Sequence, residues 1–118
     1  MAKPIYHRVI VKISGEALAG RNGDDSGASG DFGIRQATLE SIAADLVASR
    51  ALGVTLGVVV GGGNFMRGAS ASKEGLPRVT GDVMGMLATV MNALALEAAI
   101  EALQVPARTM SALAMAVP

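Results

Sequence analysis

The sequence has 118 residues, of which 51% are hydrophobic and 17% charged; that is enough for one ordinary domain with a real core, and too apolar for a disordered chain. Ten basic residues balance ten acidic ones, so no net field draws the chain to nucleic acid or to an anionic membrane. The absence of cysteine excludes a disulfide framework and any thiolate metal site, and a single histidine, His7, excludes zinc sites built on paired histidines.

Met1 to Arg8 lacks the apolar run of a signal peptide, which makes the cytoplasm the expected compartment. His7 itself reads as a solvent-facing residue near a terminus. Arg8 to Ile13 (RVIVKI) is short and β-branched and predicts a strand, apolar enough on both faces to be buried. Lys12-Ile13-Ser14-Gly15 closes it. Gly20 to Asp31 (GRNGDDSGASGD) is small, polar and Gly-rich, the composition of a flexible surface loop.

Arg35 to Leu52 predicts an amphipathic helix, because Leu39, Ile42, Ala43, Leu46 and Val47 recur on one face. Arg50 suits the helix dipole in the last turn, and Gly53 is a natural residue just past the end. Val54 to Val60 (VTLGVVV) predicts a second buried strand. Strand, helix and strand with short links form a βαβ unit, so the two strands run parallel.

Gly61-Gly62-Gly63-Asn64 follows directly, then a loop-rich stretch to residue 78. A second helix is expected from about Gly81 to Gln104, capped by Thr80 or Asp82. Its apolar face is Val83, Leu87, Val90, Leu94 and Ala98, and Met84, Met86 and Met91 widen it. Val83 to Ile100 is long enough to raise the question of a membrane span. Asn92 and Glu97 interrupt it, and it reads instead as a buried or interface helix. The seven methionines suit adaptable packing or a subunit interface. Arg108 to Leu113 reads as the opening of a third strand. The fold class is therefore α/β, an open, mainly parallel sheet with flanking helices.

In such sheets ligands bind beyond the carboxyl ends of the strands. Two Gly-rich turns lie there, Ser14-Gly15 and Gly61 to Gly63. Glycine lets the backbone approach a phosphate and present its amides to it. Two such turns side by side would cradle two phosphate groups, the requirement of a phosphoryl transfer. Lys12 flanks the first turn, where it either neutralises a transferring phosphoryl or is a surface lysine at a strand edge. Arg67 is placed to hold a phosphate bidentately. Asp82 suits ribose hydroxyls, although a helix cap is its plainer role. A Walker A loop is excluded: Gly63 and Gly68 have its spacing, but Ala69 stands where the lysine belongs. A dinucleotide fingerprint fails as well, at Met66.

Three segments carry a resemblance: Lys12 to Leu18 (KISGEAL), Val58 to Gly68 (VVVGGGNFMRG) and Gly81 to Leu96 (GDVMGMLATVMNALAL). In this order they resemble the amino acid kinase family, and the third is similar to its uridylate kinase branch in particular. The likeness runs from about Arg8 to Ser111. It implies transfer of the γ-phosphate of ATP to UMP with Mg2+, in the supply of UTP and CTP. By the same resemblance Lys12 stabilises the transferring phosphoryl, and Lys12, Ile13, Ser14 and Gly15 line the ATP phosphates. Gly62 and Gly63 lie between the phosphates of the two substrates, Gly63 on the ATP side and Gly62 on the UMP side. Arg67 holds a phosphate, and Asp82 holds the UMP ribose. The resemblance further implies a homohexamer, GTP as activator and UTP as inhibitor, with the helix from Gly81 in a dimer interface. Two features depart from the family pattern. Gly20 to Asp31 is longer than the usual loop, with Phe32-Gly33-Ile34 resuming the likeness. Residues 1–118 also amount to about half a family member, so they are expected to form the N-terminal part of a single domain whose ATP-binding half lies elsewhere. A kinase of a carboxylate or carbamate, and a non-catalytic nucleotide-binding piece, are the competing readings.

Overall fold

The computed structural model describes residues 3–20, 32–65 and 75–111. The elements run β1 (Arg8–Ile13), α1 (Gly15–Ala19), α2 (Gln36–Arg50), β2 (Thr55–Val60) and α3 (Arg78–Glu101). β1 and β2 pair in parallel with Arg8 beside Thr55 and Ile13 beside Val60, so the two strands end level. Among the described residues the sheet has these two strands. The βαβ unit expected from the sequence is therefore present, with strand limits within a residue of those expected.

The sheet is covered on one side. Leu18 of α1, Leu39, Ala43 and Leu46 of α2, and Leu96 of α3 form one core, and Ile13, Leu56, Val58 and Val60 pack against it. The alternate residues Ile10, Lys12, Gly57 and Val59 are exposed. This corrects the expectation of strands buried on both faces. The apolar sequence on both faces is real, but all three helices share a core with the same side of the sheet.

α1 was not expected. Its five residues are too few to show a period, yet its ends are marked. Ser14 caps it, accepting from the amide of Ala17 at 3.3 Å, and Gly20 ends it in the left-handed region at φ 68°. α2 ends at Arg50, and Gly53 takes φ 99° to turn the chain into β2.

α3 starts three residues earlier than its expected start. Pro77 precedes its first turn, and the carbonyl of Pro77 accepts from the amide of Gly81 at 3.0 Å. Thr80 and Asp82 thus lie inside the helix and neither caps it. The helix ends at Glu101, and Gln104 reverses the chain at φ 68°.

The packed face of α3 also differs from the expected one. Gly81, Ala88, Asn92 and Leu96 are buried, whereas Val83, Leu87 and Leu94 on the opposite side are exposed. Small residues face the turn after β2 because the approach is close. A Cβ on Gly62 would lie 2.8 Å from the Gly85 carbonyl oxygen and 2.9 Å from the Ala88 Cβ. By length and composition alone α3 would qualify as a membrane span. Its Asn92, however, is fully buried against protein and hydrogen-bonded there.

The expected third strand does not form over residues 108–111; Leu113 lies outside the described residues. Both donors of Thr109 are satisfied by α3 instead. The Thr109 amide donates to Glu97 Oε1 at 3.0 Å, and Thr109 Oγ1 donates to the Ala93 carbonyl at 3.3 Å. A cavity of about 280 Å³ separates Met110 and Ser111 from Val58, Val59 and Val60.

Candidate functional site

Because β1 and β2 end level, the two glycine turns leave the sheet at the same edge. The Gly61 amide donates to the Ile13 carbonyl at 3.0 Å, which extends the ladder one step and ties the second turn to the end of β1. The turns then touch. A Cβ on Gly15 would stand 2.5 Å from the Gly63 nitrogen and 2.9 Å from the Gly62 carbonyl carbon. Only glycine at position 15 permits this contact of backbone on backbone. On the other side, a Cβ on Gly63 would meet both Glu16 carboxylate oxygens at 2.7 Å.

The structure brings Lys12, Ile13, Ser14, Gly15, Gly62 and Gly63 to one end of the sheet. Lys12 is exposed on the open face, beside Val59 in the register. Ile13 is half-buried and packs toward the core. Ser14 is exposed and doubles as the α1 cap. Asp82 lies on the second turn of α3, where its Oδ1 accepts from Arg78 Nε at 3.1 Å in an exposed i,i+4 ion pair. Arg67 lies outside the described residues, as does most of the Gly20 to Asp31 loop.

Two residues of this site were not singled out from the sequence as part of it, Asn64 and Asn92. Both side chains are buried, at 1% and 0% exposure. Asn92 Nδ2 donates to Asn64 Oδ1 at 2.8 Å, and Asn64 Nδ2 donates to Asn92 Oδ1 at 3.2 Å. The second hydrogens reach backbone: Asn64 Nδ2 to the Gly33 carbonyl and Asn92 Nδ2 to the Gly61 carbonyl, each at 2.8 Å. All four side-chain N–H donors are thereby used, which is what burial of two carboxamides demands. The sequence signal was an asparagine interrupting an apolar helix. Its partner 28 residues away could not be read without the fold.

The segment after the long loop joins the same turn. The Gly33 amide donates to the Asn64 carbonyl at 2.9 Å, and the rings of Phe32 and Phe65 meet edge to face with centroids 5.6 Å apart. The exit of that loop, the second glycine turn and α3 are thus pinned to one another.

The model of the amino acid kinase family matches residues 7–117. The chain belongs to the amino acid kinase family. It is 58% identical to a uridylate kinase of Rhodopseudomonas palustris (strain BisA53) over 115 residues, which cover 98% of this chain and 45% of that protein. Identity to a uridylate kinase of Nitrobacter winogradskyi is 55% over the same shares. Among solved structures, a UMP kinase from Bacillus anthracis superposes with a TM-score of 0.68 at 35% identity, covering 82% of this chain and 36% of the other. A UMP kinase from Ureaplasma parvum does so with a TM-score of 0.65 at 33% identity, covering 86% and 39%. The chain therefore spans less than half the length of the relatives it matches. Within this amino acid kinase chain, the contact between Gly15 and the Gly62-Gly63 peptide joins the two glycine turns.

Proposed function

We propose that this chain supplies the phosphate-binding and UMP-binding part of a UMP kinase, which transfers the γ-phosphate of ATP to UMP. The observation that carries the reading is the backbone contact of Gly15 with Gly62 and Gly63, which sets two phosphate-accepting turns side by side at the strand ends. The names of the relatives support UMP over a carboxylate or carbamate as acceptor. In this reading residues 1–118 are the N-terminal part of one amino acid kinase domain, whose ATP-binding half corresponds to the remaining length of the relatives. The compartment is the cytoplasm.

The roles are those that the resemblance implies. Lys12, at the rim, neutralises charge on the transferring phosphoryl. Ile13, Ser14, Gly15 and Gly63 border the ATP phosphates with Arg67, and Gly62 borders the phosphate of UMP. Asp82 accepts from the ribose hydroxyls. Among the described residues no three His, Cys, Asp or Glu side chains gather to hold a metal, so these residues do not fit a protein-built cage. Mg2+ belongs to the ATP phosphates in this reading, as it commonly does in kinases.

A coupled ADP-release assay with ATP, Mg2+ and UMP, CMP, aspartate or carbamate tests the reading. The sample is the chain joined to the remaining residues of the Rhodopseudomonas palustris relative. Turnover with UMP alone is the expected result, raised by GTP and lowered by UTP. Turnover with aspartate or carbamate instead would overturn it.

Asp82→Asn should raise the KM for UMP several-fold and leave the KM for ATP unchanged. Its exposed ion pair with Arg78 is worth less than about 1 kcal/mol, so the melting temperature should barely move. An effect confined to ATP would remove the ribose role.

The exposed stripe Val83, Leu87 and Leu94 supports a homo-oligomer packed through α3, hexameric as the resemblance implies. Leu87→Glu should reduce the sedimentation mass toward that of one chain. A wild-type protein that already sediments as a single chain would refute the interface.

A further inference from the structure

The second glycine turn has no side chains of its own to hold it. Gly61, Gly62 and Gly63 form the least restrained kind of backbone, yet a phosphate cradle acts only when its amides are fixed before the ligand arrives. The restraint must therefore come from the flanking residues. We infer that the buried Asn64–Asn92 carboxamide pair is the positioning element of this turn. The inference rests on the phosphate-binding reading of the turn given above.

The argument is one of geometry. Asn92 reaches from the middle of α3 to the carbonyl of Gly61, the first residue of the turn. Asn64, at its far end, is held by Asn92 and reaches Gly33. The turn is thus gripped at both ends by one pair of side chains, and Gly62 between them rests on Gly85 and Ala88. An apolar pair of similar volume would fill the same space and leave no buried donor unsatisfied, but it would exert no directional hold on Gly61. Two buried carboxamides are costly to place unless direction is what they supply. Because Asn64 bonds Gly33 through both its side chain and its carbonyl, the pair also fixes the 32–33 segment against the turn.

The test separates positioning from simple stability. The double variant Asn64→Leu/Asn92→Leu removes both carboxamides together, so neither is left buried without the other, and the Gly33 and Gly61 carbonyls each lose one donor. Amide hydrogen exchange is then measured on the 118-residue chain at Gly33, Gly61 and Phe65. These donate to the carbonyls of Asn64, Ile13 and Gly62 respectively. Exchange there should rise about 10-fold or more while the β1–β2 ladder amides keep their wild-type protection. Unchanged exchange at these three amides, or a uniform rise across turn and ladder, would overturn the inference. Should the double variant lose the fold, Asn64→Ser, which severs only the bonds to Gly33 and Asn92, is read by the same criteria. A titration of both proteins with inorganic phosphate adds the ligand. Shifts at Gly62 and Gly63 in the wild type, with affinity about 10-fold weaker in the variant, are expected. Equal affinity counts against the pair. No shift in the wild-type chain counts against the phosphate reading of the turn, while the exchange data still decide whether the pair fixes it.

Discussion

Gly15→Ala is expected to destabilise the chain by about 3 kcal/mol, the upper end of what overpacking a closed site costs. The added methyl would stand 2.5 Å from the Gly63 nitrogen, 2.7 Å from Asn64 Oδ1 and 2.9 Å from the Gly62 carbonyl carbon. Two of these three atoms are backbone and cannot rotate away. The third belongs to the buried amide pair, so moving it breaks bonds to Asn92 and Gly33. The turn cannot retreat as a body either, since Gly61 is bonded to Ile13 and Gly62 lies against α3. At this chain length a loss of that size lowers the melting temperature by roughly 10–20 °C. Gly57→Ala is the matched control. It lies in β2 on the open face, where a Cβ would meet only Ile10 Cγ1 at 3.7 Å, and should change stability by less than about 0.5 kcal/mol. Thermal melts of the two variants that coincide would refute the close contact of the turns.

Why some of this was legible in the sequence and some was not follows from the range of each interaction. β1, α2 and β2 announce themselves through local pattern: a β-branched run, an apolar face at helical spacing, and Gly53 between them. The glycine turns were legible for the same reason, since a run of consecutive glycines directly after a strand is itself a local pattern. α1 was missed because five residues show no period, although Ser14 and Gly20 mark its ends. The packed face of α3 was misassigned because hydrophobicity and closeness compete there. The buried residues are Gly81, Ala88, Asn92 and Leu96, of which Ala88 and Asn92 meet the second glycine turn, while the strongly apolar Val83, Leu87 and Leu94 are exposed. Over residues 108–111 the expected third strand gives way because Thr109 finds its partner in Glu97, a side chain whose reach no local pattern encodes. Asn64 and Asn92 belong to the same class. Each is unremarkable alone, and only the fold makes them a pair.

Lys12→Ala should lower kcat by about 10²- to 10³-fold, the cost of removing one group that stabilises developing charge, with the KM for UMP little changed. The register places Lys12 one residue before the strand ends, and its neighbours in sequence lead straight into the Ser14-Gly15 turn. It is exposed on the sheet's open face. Phosphoryl transfer proceeds mainly by positioning and charge stabilisation rather than by covalent chemistry of the protein. If the two abutting glycine turns hold phosphates as proposed, a cation at their rim acts on the transition state more than on the ground state. The kinetic signature is a fall in kcat and kcat/KM together. The assay uses the chain joined to the remaining residues of the Rhodopseudomonas palustris relative, so that both substrates have their sites. Lys12→Arg discriminates further. A planar guanidinium carries the same charge in a different geometry, and should restore turnover only in part. A rise in KM for UMP with kcat intact would mean that Lys12 merely binds substrate. No change in either constant would return it to the role of a surface lysine at a strand edge.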